Sequence, residues 1–211
     1  MVFAHSLPPR TLRLVQVYFH REINMNLYLR LLTIWLSTAF RRRQHPFAPT
    51  VTRFRVRPWE IDLFGHMNNG RYLQIMDLAR VDWMRRCGVA DAALAHRWSA
   101  LLGGQIIRFR RSLGPLEAYT VTTRLLGWDN RWFFIEHHFR TSKGRTAAVA
   151  ISRAALRKSG GWVAPEKVAH AVIPGTPSPP LPAAVHRWIE ADKLLENGAE
   201  TKPETVLAKA A

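Results

Sequence analysis

Asp62, Gly65, His66, Asn68 and Asn69 stand just ahead of a run with helical apolar spacing. That run opens at Gly70 and carries Tyr72, Met76, Ala79 and Trp83 on one stripe. Asn68 and Asn69 are good helix N-caps, and Gly65 permits a backbone bend. The loop therefore delivers a carboxylate close to the start of a long buried helix. Hydrolysis at an acyl carbonyl needs a nucleophile, or a base that activates water. It also needs positive potential where the oxyanion develops. Asp62 can supply the first. Free N–H groups at the helix start, with the helix dipole behind them, can supply the second. Spacing alone leaves a blander reading open, in which Asp62 only closes a turn or caps the helix.

The elements that must hold this loop are legible in the hydrophobic periods. From Thr50 to Trp59 the chain alternates. Val51, Arg53, Arg55 and Arg57 point one way, and Thr52, Phe54, Val56 and Pro58 the other, which predicts a strand. The helix runs from Gly70 to Arg86, and Leu73, Ile75 and Leu78 widen its apolar stripe. A helix this apolar must be buried against a sheet. Val89 to Trp98 reads as a short helical or irregular stretch. Four strands follow, at 101–112, 119–128, 131–141 and 146–156, separated by turn residues at Asp129-Asn130 and Ser142–Gly144 and closed by Ser159–Gly161. One long helix with an antiparallel sheet is an α+β architecture. Beyond it, Ile173 to Pro182 is extended and polyproline-like. Ala183 to Leu195 is expected to form a short helix docked by Val185, Trp188, Ile189 and Leu195. Residues 197–211 have little to bury and are expected to be disordered.

The chain has 211 residues, 47% of them hydrophobic, which suits one compact domain with appendages. Cys87 is the single cysteine, so there is no intramolecular disulfide and no Cys-based metal cluster. Its place beside Gly88 at a helix end points to packing. The net charge is +16, from 31 Lys+Arg against 15 Asp+Glu. That excess implies an anionic partner: nucleic acid, an anionic membrane surface or a phosphate-bearing substrate. Much of it sits near an apolar run, Met25 to Phe40, whose only charge is Arg30 and which Arg41-Arg42-Arg43 closes. The run is slightly short of the ~20 residues that span a bilayer. Three readings are open: a membrane anchor, a helix packed on the domain or a partner, and a signal peptide, the last lacking an A-x-A-like cleavage site. Residues 1–24 read as a leader, with Met25 an alternative start. The expected domains are thus the leader, an apolar helix at 25–43, a globular domain at 44–173, and a Pro-rich segment with a short helix and tail at 174–211.

The pattern Asp-x-x-Gly-His-Met-Asn-Asn-x-x-Tyr, at Asp62, Gly65, His66, Met67, Asn68, Asn69 and Tyr72, resembles the signature loop of the 4-hydroxybenzoyl-CoA thioesterase branch of hotdog proteins. His66–Leu73, Leu78–Val81, Arg86–Val89, Arg110–Leu113 and Thr123–Asp129 are similar to the thioesterase superfamily member 6 subgroup, as is Pro179–Pro182 followed by Trp188-Ile189. The resemblance implies a hotdog fold, in which an antiparallel sheet wraps one central helix. It implies hydrolysis of an acyl-CoA or related acyl thioester without a cofactor. Asp62 would be the catalytic carboxylate, and the backbone N–H of Asn69 would polarise the carbonyl. Gly65, His66, Asn68 and Tyr72 would contact substrate. An apolar tunnel beside the helix would hold a medium- or long-chain acyl group. A homodimer or dimer of dimers is implied, with the site across the subunit boundary. The alternative is a non-catalytic acyl-thioester or lipid-binding protein at a membrane. The expected location is the cytoplasm, at a membrane surface through residues 25–43.

Other candidates weigh less. Asp77 lies on the helix, where pairing with Arg80 competes with catalysis. His137 and His138 alternate across a strand and cannot both face one site. No metal-ligand spacing and no phosphate-binding glycine loop occurs. The aromatics follow core periods instead of interleaving with basic residues, so nucleic acid is not the expected partner. Arg108, Arg110, Arg111, Arg131, Lys143 and Arg145 are the groups available to the phosphates of coenzyme A.

Overall fold

The computed structural model describes residues 28–38 and 43–199. A helix at 28–38 (α1) leads to β1 (Thr50–Arg55) and a 3-10 turn, Pro58–Glu60. The central helix α2 (Asn69–Arg86) and a shorter α3 (Val89–His96) follow. Four long strands come next: β2 (Ser99–Phe109), β3 (Ala118–Trp128), β4 (Phe133–Thr141) and β5 (Thr146–Lys158). A short β6 (Gly161–Val163), α4 (Pro165–Val172) and α5 (Ala183–Ala199) complete the order. All pairings are antiparallel, in the order β1-β3-β4-β5-β2, with β6 on β5. Bulges interrupt the ladders at Leu102/Gly104, Leu125/Gly127 and Phe139/Arg140. They add local twist to a sheet that curls round α2.

The inner face packs on α2. Tyr72, Ile75, Met76 and Ala79 meet Val121, Phe139, Ala148 and Ala150 in one cluster. Trp83 and Cys87 meet Leu125, Trp128, Phe133 and Ile135 in the next. Each large side chain buried there contributes about 1.5–3 kcal/mol. The expected stripe Tyr72, Met76, Ala79 and Trp83 is buried as predicted, as are Ile75 and Leu78. Leu73 is exposed, because its side of the helix turns away from the sheet. Burial pushes the Cys87 thiol up to about 12, which suits packing and not nucleophilic chemistry. Polar pairs also cross this interior: Thr52 donates to Asp82 at 2.6 Å, and Trp83 Nε1 donates to the Pro46 carbonyl at 3.0 Å.

The outer face is covered at one end. Val185, Trp188 and Ile189 of α5 pack on Leu126, Phe134 and Ile151. Arg153 forms a two-point ion pair with Asp192 at 2.5 and 3.0 Å and lies between the rings of Trp132 and Trp188. Leu195 is exposed and does not dock, because the helix has left the sheet by then. The backbone of α5 continues to Ala199, past the expected start of the disordered tail. Residues 200–211 and the leader at 1–24 lie outside the described residues.

α1 lies against the domain. Leu31 and Ile34 join the core beside Phe54 and Ile61, Arg30 is ion-paired with buried Glu60, and Arg85 stands 4.0 Å from the Trp35 ring. Among the described residues no helix is long and apolar enough to cross a membrane.

Candidate active site

The loop from Asp62 is closed at its base by a bridge between Ile61 and Met67. The Asp62 N–H donates to the His66 carbonyl at 2.8 Å, and Gly65 N–H donates to the Asp62 carbonyl at 3.1 Å. Gly65 has φ +77°, the left-handed turn position that glycine fills without strain. Asp62 Oδ1 accepts from the N–H groups of Phe64 at 2.9 Å and His66 at 3.4 Å. One carboxylate oxygen thus holds the turn. Oδ2 has no hydrogen bond among the described residues. The turn-closing role open to Asp62 in the sequence is thus filled by one oxygen of its side chain, and the other is not engaged by it.

The loop is fixed to the fold at its far end. Met67 N–H donates to the Leu113 carbonyl at 2.9 Å, and Asn68 N–H to the Glu60 carbonyl at 2.8 Å. Asn68 is the N-cap of α2, its side chain accepting from Gly70 N–H at 2.9 Å. Asn69 is the first helical residue, one position before the predicted start at Gly70. Its N–H makes no hydrogen bond among the described residues, so an orphan donor sits at the positive end of the helix.

These groups share a cleft of about 580 Å3, lined by Asp62, Phe64, His66, Met67, Asn69, Tyr72 and the segment Phe109–Ser112. Four of the six anticipated site residues therefore meet at one cavity: Asp62, His66, Asn69 and Tyr72. Gly65 and Asn68 are absent from its lining and act as turn and cap. Tyr72 is buried against Phe109 and Phe139, with ring centroids 5.0 and 5.1 Å away, and burial pushes its hydroxyl up to about 12. It shapes the cleft as a wall and stays protonated. Of the basic residues available for phosphate, Arg110 and Arg111 reach the cleft. The sequence placed the pair near the end of the expected strand at 101–112; β2 ends at Phe109, and only the curl of the sheet brings its end opposite Asp62.

A second, apolar cavity of about 180 Å3 lies between the C-terminal half of α2 and the sheet. Trp83, Met84, Leu101, Leu102, Ile135 and Ala154 help line it, with Asp77 and Arg80 as its charged lining. Asp77 is ion-paired with Arg80 and stands about two turns along α2 from Asn69. His137 is fully buried in the sheet, its Nδ1 3.2 Å from Thr123 Oγ1, and burial with the Arg80 charge holds it down to about 3. It lines neither cavity. His138 pairs instead with Thr146 on the opposite face at 3.0 Å, as strand alternation requires.

Residues 56–189 match the family model described as "Thioesterase-like superfamily". The chain belongs to the thioesterase-like superfamily. It is 35% identical over 137 residues to Protein THEM6 of Xenopus laevis, covering 64% of each chain. It is 29% identical over 133 residues to Protein THEM6 of Drosophila melanogaster, covering 62% of this chain and 69% of that one. The chain thus spans about two thirds of these relatives, 64% of the Xenopus one. Among solved structures, YbaW, a probable thioesterase from Escherichia coli, superposes with a TM-score of 0.55 at 21% identity, over 59% of this chain and 96% of that one. The hotdog arrangement of sheet and helix is therefore the fold of this superfamily member.

Proposed function

We propose that this chain hydrolyses an acyl thioester, with acyl-coenzyme A as the substrate class. The observation that carries the reading is that Asp62 Oδ2 and Asn69 N–H, both without a hydrogen bond among the described residues, belong to residues that line one cleft. The thioester carbonyl oxygen would rest on Asn69 N–H, where the helix dipole favours the charge that develops. Asp62 Oδ2 would take a proton from water as the resulting hydroxide adds to the carbonyl carbon. The carbon–sulfur bond then breaks, and the thiolate leaves and is protonated to the free thiol. Direct attack by Asp62 would instead expel the thiolate, which is protonated to the free thiol, and leave a mixed anhydride that water opens to the free acid and the regenerated Asp62 carboxylate. Arg110 and Arg111 at the cleft would meet the phosphates of coenzyme A.

Three further readings belong to this proposal. Residues 44–173 form the catalytic domain, with 174–211 appended to it. The active form is a homodimer joined along β2, an edge strand on which Leu101, Leu102, Ile106 and Phe109 are exposed. A two-fold pairing centred near Gln105 would set the Phe109 end of one strand beside the Leu101 end of the other. The cleft of one subunit would then adjoin the apolar cavity of its partner, a path for a medium or longer acyl chain. Finally, residues 25–43 place the chain at a membrane surface. The experiment for the activity is a panel of acyl-CoAs offered to the wild type and to Asp62→Asn. Turnover that survives the substitution refutes the assigned role. Saturable binding with no turnover at any chain length replaces the enzyme by an acyl-thioester-binding protein.

A further inference from the structure

We propose that α4 is the floor of the acyl site and sets the longest hydrocarbon tail that the chain accepts; this rests on the acyl-thioester reading above and adds a limit to its substrate class. The setting is the cavity of about 180 Å3 beneath the C-terminal half of α2. Its lining is open on one side and closed on another. Leu101 and Leu102, on the edge strand β2, are exposed at 41% and 44%, and Asp77 on α2 is exposed as well. Trp83, Ala155, Leu156 and Val168 are sealed, none above 4%. The mouth therefore lies at the β2 edge, where the cleft of a partner subunit would arrive. The blind end lies against α4, where Val168 and Ala169 are buried.

The lining admits one kind of occupant. Asp77 and Arg80 are its charged residues, and they are ion-paired with each other. The indole N–H of Trp83 is taken by the Pro46 carbonyl. The remaining lining side chains are aliphatic or aromatic. A hydroxyl or amide placed among them would lose its bonds to water and find none in return. A hydrocarbon tail meets no such penalty. An apolar cavity of about 150 Å3 holds benzene, so about 180 Å3 takes roughly seven carbon atoms. Each methylene that moves from water into such a site should raise affinity about fourfold, until the blind end is reached.

The walls are fixed and the floor is adjustable. Trp83 is held by its bond to Pro46. Trp128 is stacked on Phe47 at 6.0 Å and packed on Phe133 at 5.9 Å, and its backbone is bonded in both directions to Ser178. Large rings tied in this way cannot change the depth of the cavity without breaking the core. α4 is only eight residues long, and its outward side chains, Glu166, Lys167 and His170, are exposed. Inward it offers Val168, Ala169 and Val172, with Ile173 following as its C-cap. These side chains are small or aliphatic, so one substitution alters the depth by a countable number of carbons.

The test uses the full chain and a series of S-alkyl-CoA thioethers, which carry the tail on coenzyme A but have no acyl bond to hydrolyse. Calorimetry gives affinity against tail length, and acyl-CoAs of the same lengths are followed for turnover. The wild type should gain about fourfold per methylene and then stop gaining at a definite length. Ala169→Leu should move that stopping length down by about three carbons, Val172→Ala up by about two and Ile173→Ala up by about three, the number of carbons that each substitution adds or removes. His170→Gln, on the exposed side of α4, should leave it in place. Thermal unfolding checks that each variant is folded; should Ala169→Leu fail to fold, the two cavity-enlarging variants decide the matter. One stopping length shared by all folded variants overturns the role of α4. Affinity that does not grow with tail length overturns the cavity as the tail site. Shifted stopping lengths with no turnover of any acyl-CoA uphold the floor and overturn hydrolysis. Turnover with an unshifted length profile does the reverse.

Discussion

Gly127→Ala should destabilise the fold by about 2–6 kcal/mol, and the structure divides that cost into two parts. Gly127 sits at the β3 bulge with φ +151°, a backbone conformation that costs an L residue on the order of 1–3 kcal/mol. An added Cβ would meet Ser178 Oγ at 2.9 Å, Leu181 Cδ2 at 3.0 Å and the Pro179 carbonyl at 3.1 Å. All three belong to the extended segment that carries the chain to α5. Ser178 Oγ is no flexible tip. It donates to the Trp128 carbonyl at 2.8 Å and accepts from Trp128 N–H at 2.8 Å, so it is bonded to the strand it would have to leave. Forcing the segment outward adds the ordinary cost of overpacking, about 1–3 kcal/mol. The assay is reversible chemical denaturation of Gly127→Ala beside Gly160→Ala. Gly160 has φ +102°, and a methyl group there would meet nothing within 4 Å, so its substitution measures backbone strain alone. Gly127→Ala should then cost at least about 1 kcal/mol more than Gly160→Ala. Equal losses, or no loss at Gly127, would show that the segment does not pack on β3 as described.

The other expectations concern substrate, pH and assembly. Arg110→Gln/Arg111→Gln should raise KM for acyl-CoA by roughly tenfold, the weight of one to two exposed phosphate contacts, and leave KM for a phosphate-free pantetheine thioester unchanged; steady-state kinetics on both substrates decide it. His137 has its pKa lowered from 6.5 to about 3 in the folded protein, first by burial and then by Arg80. Between those two values the unfolded chain binds a proton that the folded chain refuses, so stability falls as pH drops, by up to about 1.4 kcal/mol per pH unit. Denaturation across the acid range should show that slope in the wild type and a shallower one in His137→Gln. Leu102→Glu/Ile106→Glu should convert a dimer to monomers in sedimentation analysis and abolish turnover, whereas an active monomer would show that the site is complete without a partner strand.

Where one face of an element is buried and the other wet, its period was readable. α2 showed its stripe from Tyr72 to Trp83, and the loop from Asp62 to Asn69 stood out because N-cap residues precede that stripe. The outer face of the sheet was less legible. Phe133, Phe134 and Ile135 form a continuous apolar run because α2 covers one side and α5 the other, so alternation is erased. β6 and α4 escaped notice since three strand residues and eight helical ones carry too little period. The cleft was half visible. Asp62 and Asn69 are local to one loop, but Arg110 and Arg111 reach it through the sheet, a long-range placement that no spacing encodes. His137 stood in a strand like any polar residue, and only packing shows it sealed from both cavities.

One rate tests the role of Asp62 most directly. Asn at position 62 keeps an oxygen that can accept from the Phe64 and His66 N–H groups, so the turn survives while the negative charge and the basic oxygen are lost. The measurement is single-turnover hydrolysis of an acyl-CoA that the wild type cleaves, by Asp62→Asn, with ligand binding followed in parallel. A fall of about 10²–10⁴-fold in rate at unchanged affinity is the predicted result. A rate within about threefold of wild type, far smaller than the loss of a base should cost, would contradict it and move the chemistry away from Asp62.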